Sequence, residues 1–219
     1  MAGAPLVVHA VRRLLEAGVT ALVVAAPASH LEDFRALLAP LGREAQDVPD
    51  EDGAPRRRVH LDVVPGGASR QASVAAALAV LPPGEVVLVH DAARCFAPPA
   101  MLRRVIDAVR AGHRAVIPVV PVVDSLVTAL SEGPVDSYED RSRLRVVQTP
   151  QGFERATLEL AHAAPAPLEE SAAATDDASL AAGVGETVWA VPGDDAAMKI
   201  TTPRDLALAQ VLFADEGAE

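Results

Sequence analysis

Short apolar runs alternate along the chain with stretches of helical spacing. Residues 20–27, Val86–Val89 and residues 187–191 are rich in Val and Ala and predict buried β-strands. Residues 5–18 and 98–111 carry apolar side chains at helical intervals, with Pro near the start of each stretch. The alternation predicts an α/β fold with a mostly parallel sheet and helices on both faces.

Some segments depart from this pattern. Residues 30–41 predict a helix capped by Ser29, whereas residues 42–58 have no period and predict a surface loop. Residues 115–124 predict a strand whose two prolines suit an edge or a bulge better than an interior position. The segment after Gln148 predicts a direct return to a helix at residues 154–162.

The region from about residue 123 to 148 predicts a projecting hairpin arm. Residues 125–130 and 144–148 look like its strands, and residues 131–134 look like a turn. An arm with apolar residues cannot bury them by itself, so we expect a partner chain.

Composition and charge argue against several classes of protein. The 219 residues suit a single domain, and the net charge of −11 argues against a nucleic-acid surface. The single cysteine, Cys95, excludes a disulfide framework or a cysteine-rich metal site. No apolar run approaches the roughly 20 residues of a membrane span, and the start lacks a signal-peptide pattern. We therefore expect a cytoplasmic protein without a membrane or nucleic-acid partner.

The strongest candidate chemistry follows the strand Val86–Val89. Ligands bind past the carboxyl ends of strands in open α/β sheets, so Asp91 and Arg94 should face a crevice. Asp91 could bind a divalent cation and Arg94 an anion, while the small Ala92 leaves room for a ligand. A simpler reading is a helix cap and a surface arginine.

Residues 59–78 predict a strand, a glycine turn and an Ala-rich helix. Gly66 and Gly67 would let backbone amides approach a ligand, and Arg70 and Ser73 lie about one helical turn apart. This arrangement suits a base or a phosphate, although a tight connection alone would also explain it.

Another candidate lies after the last predicted strand. Lys199 stands between Met198 and Ile200 and follows Asp194 and Asp195. It could act at the sheet edge, or it could be a snorkelling surface lysine.

Six ordered segments carry a family resemblance: PGGASRQASVAAAL, VLVHDAAR, VVDSL, VVQTPQGF, TDDASL and KITTPRDLALAQ. Together they make the chain resemble the 2-C-methyl-D-erythritol 4-phosphate cytidylyltransferases over nearly its whole length. The resemblance implies a Rossmann-like nucleotidyltransferase fold and a homodimer with a swapped hairpin arm. It also implies transfer of CMP from CTP to methylerythritol phosphate, with Mg²⁺ and release of pyrophosphate.

The resemblance also implies roles for particular residues. Asp91 would position Mg²⁺ or the substrate hydroxyls, Arg94 would bind the sugar phosphate, and Lys199 would offset charge at the α-phosphate. Asp194 or Asp195 would be a second acid near the metal. The nucleotide would be contacted by Gly66, Gly67, Ala68, Arg70, Ser73 and Ala92. The sugar phosphate would be contacted by Thr175 and, from the neighbouring subunit's arm, by Ser125 and Arg141.

The sequence departs from the family pattern at its start. Family members begin with a strand and a glycine-rich loop, AAGxGxRxG followed by Pro-Lys, whereas this sequence opens at the residues that come next. Without them we expect a central strand to be missing and CTP to bind weakly. Smaller departures are Ser125 for Thr, Val127 for Lys and Cys95 for Pro.

Two other readings fit the same motifs. One is a cytidylyltransferase for ribitol phosphate or another polyol phosphate. The other is a truncated, non-catalytic dimeric homologue.

Overall fold

The computed structural model describes residues 3–47, 59–129, 132–164 and 176–213. The helices in these residues are α1 (Leu6–Glu16), α2 (Leu31–Asp47), α3 (Arg70–Val80), α4 (Pro99–Arg110), α5 (Arg155–Ala163), α6 (Asp177–Gly183) and α7 (Pro203–Leu212). The strands are β1 (Ala21–Ala26), β2 (His60–Pro65), β3 (Val86–Val89), β4 (Ala115–Pro121), β5 (Val127–Ala129), β6 (Val135–Tyr138), β7 (Arg145–Val147), β8 (Gln151–Glu154) and β9 (Val188–Pro192).

The larger sheet has the strand order β3-β8-β4-β7, and β9 pairs with the other edge of β4. Strands β3, β4 and β9 run in one direction, whereas β7 and β8 run against them. The sheet is therefore mixed, not mostly parallel as the alternation predicts: only β4 and β9 are parallel neighbours in it. Strands β1 and β2 form a separate parallel pair, and β5 and β6 form an antiparallel hairpin.

Helices cover both faces of the larger sheet. Successive strand residues point to opposite faces, so Val87 and Ala115 pack with α3, α5 and α6, whereas Val86 and Val116 pack against α4. The predicted α/β, Rossmann-like class with helices on both faces is confirmed.

Helix α1 joins the two sheets. Val8 and Val11 pack with the β1–β2 pair and α2, while Ala10 belongs to the cluster around Cys95 and Phe96. Among the described strands, β1 does not pair with β3. A cavity of about 510 Å³ lies between them and is lined along its length by apolar side chains of both strands.

The prediction of an edge or bulge for the proline-containing strand is wrong, because β4 is central. It pairs with β8 and β7 on one edge and with β9 on the other. Pro118 lies where the partner changes from β8 to β7, so its missing N–H falls at a junction, and its carbonyl accepts from the Gln148 N–H at 2.9 Å. Pro121 ends the strand.

The predicted strand pairing of the arm is also wrong. Strand β5 pairs with β6, which the pattern did not single out, whereas β7 pairs with β4 in the main sheet. The shorter connection between β5 and β6 favours their pairing.

Two further boundaries differ from the prediction. Helix α2 continues to Asp47, so the predicted loop is wrong over residues 42–47, and residues 48–58 lie outside the described part. The short strand β8 precedes α5 and separates β3 from β4. None of the helices in the described segments is long and apolar enough to cross a membrane.

Candidate active site

The loop after β3 carries Asp91 to the carboxyl end of the sheet. The backbone N–H of Asp91 donates to Thr149 Oγ1 at 3.0 Å, and the N–H of Arg94 donates to the Asp91 carbonyl at 2.9 Å. The N–H of Ile200 donates to the carbonyl of Ala93 at 2.9 Å, which joins this loop to the segment after β9. These bonds place Asp91 beside Lys199.

Asp91 lies between two cations. Its Oδ2 is 2.9 Å from Lys199 Nζ, and its Oδ1 is 3.7 Å from Arg70 Nε. Burial tends to raise the pKa of Asp91, but the hydrogen bond and charge of Lys199, with the charges of Arg70 and Arg94, leave that pKa below its usual value. Asp91 is therefore ionised at neutral pH.

Arg94 is half-buried, and its guanidinium hydrogen-bonds to the backbone of two other segments of the chain. Its Nη1 donates to the Ala197 carbonyl at 2.8 Å and its Nη2 to the Val147 carbonyl at 3.2 Å. Its Nε is buried and has no acceptor among the described residues. Burial lowers the pKa of Arg94 and the charge of Asp91 opposes that effect, so the guanidinium remains a cation.

The glycine turn is fixed to the start of α3. The N–H of Gly67 donates to Ser73 Oγ at 3.0 Å, and that hydroxyl donates to the Ser69 carbonyl at 2.8 Å. Ser69 caps α3 by accepting from the Ala72 N–H at 3.1 Å. A side chain at Gly67 would collide with the Ala72 Cβ and lie 2.9 Å from the Ala72 carbonyl carbon. Glycine is required here by this close approach.

The cavity between β1 and β3 reaches these polar groups at one end. The residues that line this end are Arg70, Ser73, His90, Asp91 and Ala92. Ala68 and Ala92 are exposed to solvent. The N–H of Gly66 donates to the Ala26 carbonyl at 2.8 Å. Of the predicted nucleotide residues, Arg70, Ser73 and Ala92 line this end of the cavity, whereas Gly66, Gly67 and Ala68 lie in the turn before α3.

His90 and Thr149 form the wall beside Asp91. The Thr149 hydroxyl lies 3.2 Å from His90 Nδ1. Burial lowers the pKa of His90 to about 4, so its ring is neutral at neutral pH. His90 therefore adds no positive charge beside Asp91, whose ion-pair partners are Lys199 and Arg70.

Of the two acids after β9, Asp194 is the more firmly fixed. Its backbone N–H donates to Gln148 Oε1 at 3.0 Å, its carbonyl accepts from Gln148 Nε2 at 2.8 Å, and its side chain caps the 3₁₀ turn at residues 195–197. Asp195 is exposed. Within the described segments, no three His, Cys, Asp or Glu side chains gather as a metal cluster.

A single carboxylate still suits Mg²⁺, which often binds through one or two carboxylates and the phosphates of its substrate. The ionised carboxylate of Asp91 faces the cavity with oxygens in contact with Lys199 and Arg70. The residues present therefore fit a metal that arrives with a nucleotide.

The predicted arm residues do not contact these groups within the chain. Ser125 and Arg141 are exposed, and Arg141 Nη1 donates to the Val123 carbonyl at 2.6 Å. Among the described residues, neither shares a hydrogen bond or ion pair with Asp91, Arg94 or Lys199. Thr175 lies outside the described residues.

Sequence reasoning missed several residues of the site. Thr149 and Gln148 lie in VVQTPQGF and Asp177 lies in TDDASL, so the motifs were visible but their contacts were not. Asp177 lies 2.6 Å from Arg70 and bonds to His162 at 2.9 Å. No sequence pattern marks His162.

Comparison with known proteins identifies the family of this chain. The profile of the family described as IspD: 2-C-methyl-D-erythritol 4-phosphate cytidylyltransferase matches residues 1–215. The cytidylyltransferase of that name from Saccharopolyspora erythraea is 46% identical over 219 residues, covering 98% of this chain and 88% of the relative. The one from Nocardia farcinica is 44% identical, covering 96% of this chain and 82% of the relative.

A solved structure shares the fold. The 2-C-methyl-D-erythritol 4-phosphate cytidylyltransferase from Thermus thermophilus superposes with a TM-score of 0.73 at 32% identity, covering 97% of this chain and 90% of that one. The chain therefore belongs to the IspD family, and it is a nucleotidyltransferase that performs CTP-dependent cytidylyl transfer in isoprenoid biosynthesis.

Proposed function

We propose that the opening beside Asp91 aligns the phosphate of methylerythritol phosphate with the α-phosphorus of CTP. The observation that carries this proposal is the placement of Asp91 between Lys199 and Arg70 at the mouth of the cavity. The substrate phosphate displaces pyrophosphate in line, so the protein supplies alignment and charge neutralisation and needs no nucleophilic side chain.

We assign the nucleotide to the side of the opening formed by the glycine turn and α3. The Gly67–Ser73 hydrogen bond fixes the turn, and the small, exposed Ala68 and Ala92 leave room beside it for a flat base and a ribose. The full nucleotide set is Gly66, Gly67, Ala68, Arg70, Ser73 and Ala92.

We assign the reacting phosphates to the side formed by Arg94 and Lys199. Lys199 offsets negative charge that develops at the α-phosphate, because its ammonium group is a mobile cation with three donors. Arg94 binds the sugar phosphate through donors that its two backbone carbonyl partners leave free. Thr175 is proposed as a contact to a substrate hydroxyl.

We propose that Mg²⁺ is held by Asp91, with Asp194 as the second acid. When bound, the ion would neutralise phosphate oxygens of CTP and screen their repulsion from the incoming phosphate. Asp194 is preferred over Asp195 because Gln148 fixes its backbone on both sides.

We propose a homodimer in which the arm, about residues 123–148, reaches the partner's opening. Apolar side chains on and beside the arm are exposed in one protomer, as expected for a surface that a partner covers: Val123, Leu126, Val127, Val135, Tyr138 and Val146. Ser125 and Arg141 would then contact the sugar phosphate bound by the partner subunit. We place the enzyme in the cytoplasm, where CTP is made.

The substrate is tested by measuring pyrophosphate release from CTP with methylerythritol phosphate and, separately, with ribitol phosphate. We expect turnover with the first, and we expect Asp91→Asn to abolish it. Turnover of ribitol phosphate without turnover of methylerythritol phosphate would contradict this choice and favour a polyol phosphate enzyme.

We propose further that the chain folds as one domain. Helix α1 supports this proposal, because its side chains pack with the β1–β2 pair and also belong to the cluster around Cys95 and Phe96.

A further inference from the structure

Asp177 is a buried carboxylate that the chemistry proposed above does not use. It is the first residue of α6, and none of its side-chain surface is exposed. A buried charge is stable only when it is paired and hydrogen-bonded. The partners of Asp177 should therefore be fixed in place.

His162 is the first partner. Its Nε2 lies 2.9 Å from Asp177 Oδ1, and only 5% of its side-chain surface is exposed. An ionised carboxylate can only accept hydrogen bonds, so His162 Nε2 is the donor. His162 Nδ1 is buried and unpartnered among the described residues, which leaves Asp177 as the polar group that orients the ring.

Arg70 is the second partner, and it connects Asp177 to the active site. Its Nη1 lies 2.6 Å from Asp177 Oδ2 in an ion pair, while its Nε lies 3.7 Å from Asp91 Oδ1. The N–H bonds are not aligned with Oδ2, so charge attraction dominates this contact. Arg70 thus sits between two carboxylates and lies closer to the buried one.

We propose that Asp177, oriented by His162, is a positioning residue that anchors the Arg70 guanidinium and sets its distance from Asp91. The proposal rests on the cytidylyl transfer assigned to Asp91 above. Asp91 is the other ion-pair partner of Arg70 among the described residues, so a guanidinium released from Asp177 would move onto Asp91. Arg70 would then occupy carboxylate oxygens that Lys199 and the incoming nucleotide complex use.

The anchoring is tested by NMR of the Arg70 Nε–H group, whose resonance is assigned by its absence in Arg70→Lys. We expect the hydrogen to exchange about tenfold faster or more in Asp177→Asn and His162→Phe than in the wild-type chain. His162→Gln keeps an N–H donor and should restore slow exchange. Asp107→Asn on the exposed face of α4 is the matched control and should leave the resonance unchanged.

The effect on catalysis is tested by a double-mutant cycle of Arg70→Gln and Asp177→Asn. We expect Asp177→Asn to lower kcat about tenfold or more, with KM for methylerythritol phosphate changed less than about threefold. Because Asp177 acts through Arg70, the double variant should be no slower than Arg70→Gln alone. A purely structural role would lower the melting temperature without this non-additive loss of kcat.

The two measurements separate the possible failures. Unchanged Arg70 exchange in Asp177→Asn would overturn the anchoring whatever the activity. Suppose instead that Arg70 exchange changes, but the losses of kcat from the two substitutions multiply in the double variant. The proposal that Asp177 acts through Arg70 would then be wrong. If the wild-type chain showed no cytidylyl transfer, the failure would fall on the proposed function, and the NMR result would still decide whether Asp177 anchors Arg70.

Discussion

At the scale of single residues, few cations are available to pair with the carboxylate of Asp91. Lys199 is the only lysine in the chain, and the other cationic side chains apart from histidine are arginines. The side chain of Lys199 is 46% exposed, so its amine can reach a ligand while it contacts Asp91. A mobile point charge suits a reacting phosphate better than a guanidinium fixed by backbone carbonyls, as Arg94 is.

Lys199→Met should lower kcat for pyrophosphate release about 100-fold or more, because it removes a cation where charge develops in the transition state. The same change should raise the pKa of Asp91, since the hydrogen bond and charge of Lys199 lower it. Lys199→Arg keeps the charge and should lose less activity. Acetylation of the wild-type chain gives an independent measurement, because Lys199 carries the sole side-chain amine and CTP should protect it. Full activity after complete acetylation would contradict the role.

Cys95 is predicted to be unreactive in the folded chain. Burial raises the pKa of its thiol to about 11 from an ordinary value of 9.0, so the thiolate is scarce at about pH 8. A thiol-specific reagent should therefore label Cys95 only after unfolding in urea. The pKa of the Cys95 thiol is higher in the folded chain than in the unfolded one, so the contribution of the buried thiol to the free energy of unfolding is complete below about pH 9. That contribution is lost as the pH rises toward 11.

The control for this titration is Cys95→Ala, compared with the wild-type chain by urea unfolding at each pH. The difference in unfolding free energy between the two should be constant below about pH 9 and should shrink above it. Rapid labelling of the native protein at about pH 8 would show that the thiol is not buried.

The sequence located the candidate residues better than it explained their contacts. Asp91, Lys199 and Arg70 were predicted because each follows a strand or opens a helix at the same edge of the sheet. Their distances depend on residues distant in the chain, such as Thr149 and Asp177, whose contacts only the tertiary fold creates.

At the scale of elements, strands with continuous apolar runs were predictable and the short strand β8 was not. β8 contains Gln151 and Gly152 and lacks the alternation of a typical strand. Its glycine is needed because α4 packs directly on it: an added Cβ would lie 2.5 Å from Val105 Cγ1. That requirement comes from the packing of α4, which lies much earlier in the chain. The local sequence around Gly152 therefore does not reveal it. The central position of β4 was hidden for the same reason, because Pro118 is tolerated where the partner strand changes and Pro121 is tolerated at the end of the strand.

The glycine turn before α3 offers a matched pair of substitutions. Gly67→Ala should weaken CTP binding about tenfold, because its Cβ would collide with Ala72 and displace the cap that orients α3. Gly84→Ala is the control, since a Cβ there meets nothing within 4 Å. Calorimetric titration with CTP measures both affinities. Equal losses in the two variants would show that the close approach at Gly67 has no special role.

At the scale of the whole molecule, the arm exposes apolar side chains that nothing in the described part of the chain covers. Every residue of strands β5 and β6 is exposed, and Tyr138 at the end of β6 is 79% exposed. Such an apolar, two-stranded projection is marginal by itself and gains stability when another surface covers it. Ser125 and Arg141 lie on this projection, so a dimer would bring polar groups as well as apolar area to the partner.

Arg141→Ala should therefore lower turnover of methylerythritol phosphate while leaving CTP affinity little changed, because the two ligands are bound by different parts of the chain. The sharper measurement mixes Arg141→Ala chains with Asp91→Ala chains, each inactive as a homodimer. In a heterodimer with swapped arms, one opening combines an intact Asp91 with an intact partner Arg141, while the other lacks both. Each heterodimer should regain one active site, about half of the wild-type activity per dimer. If each arm served its own subunit, every site would lack one of the two residues, and mixing would restore nothing.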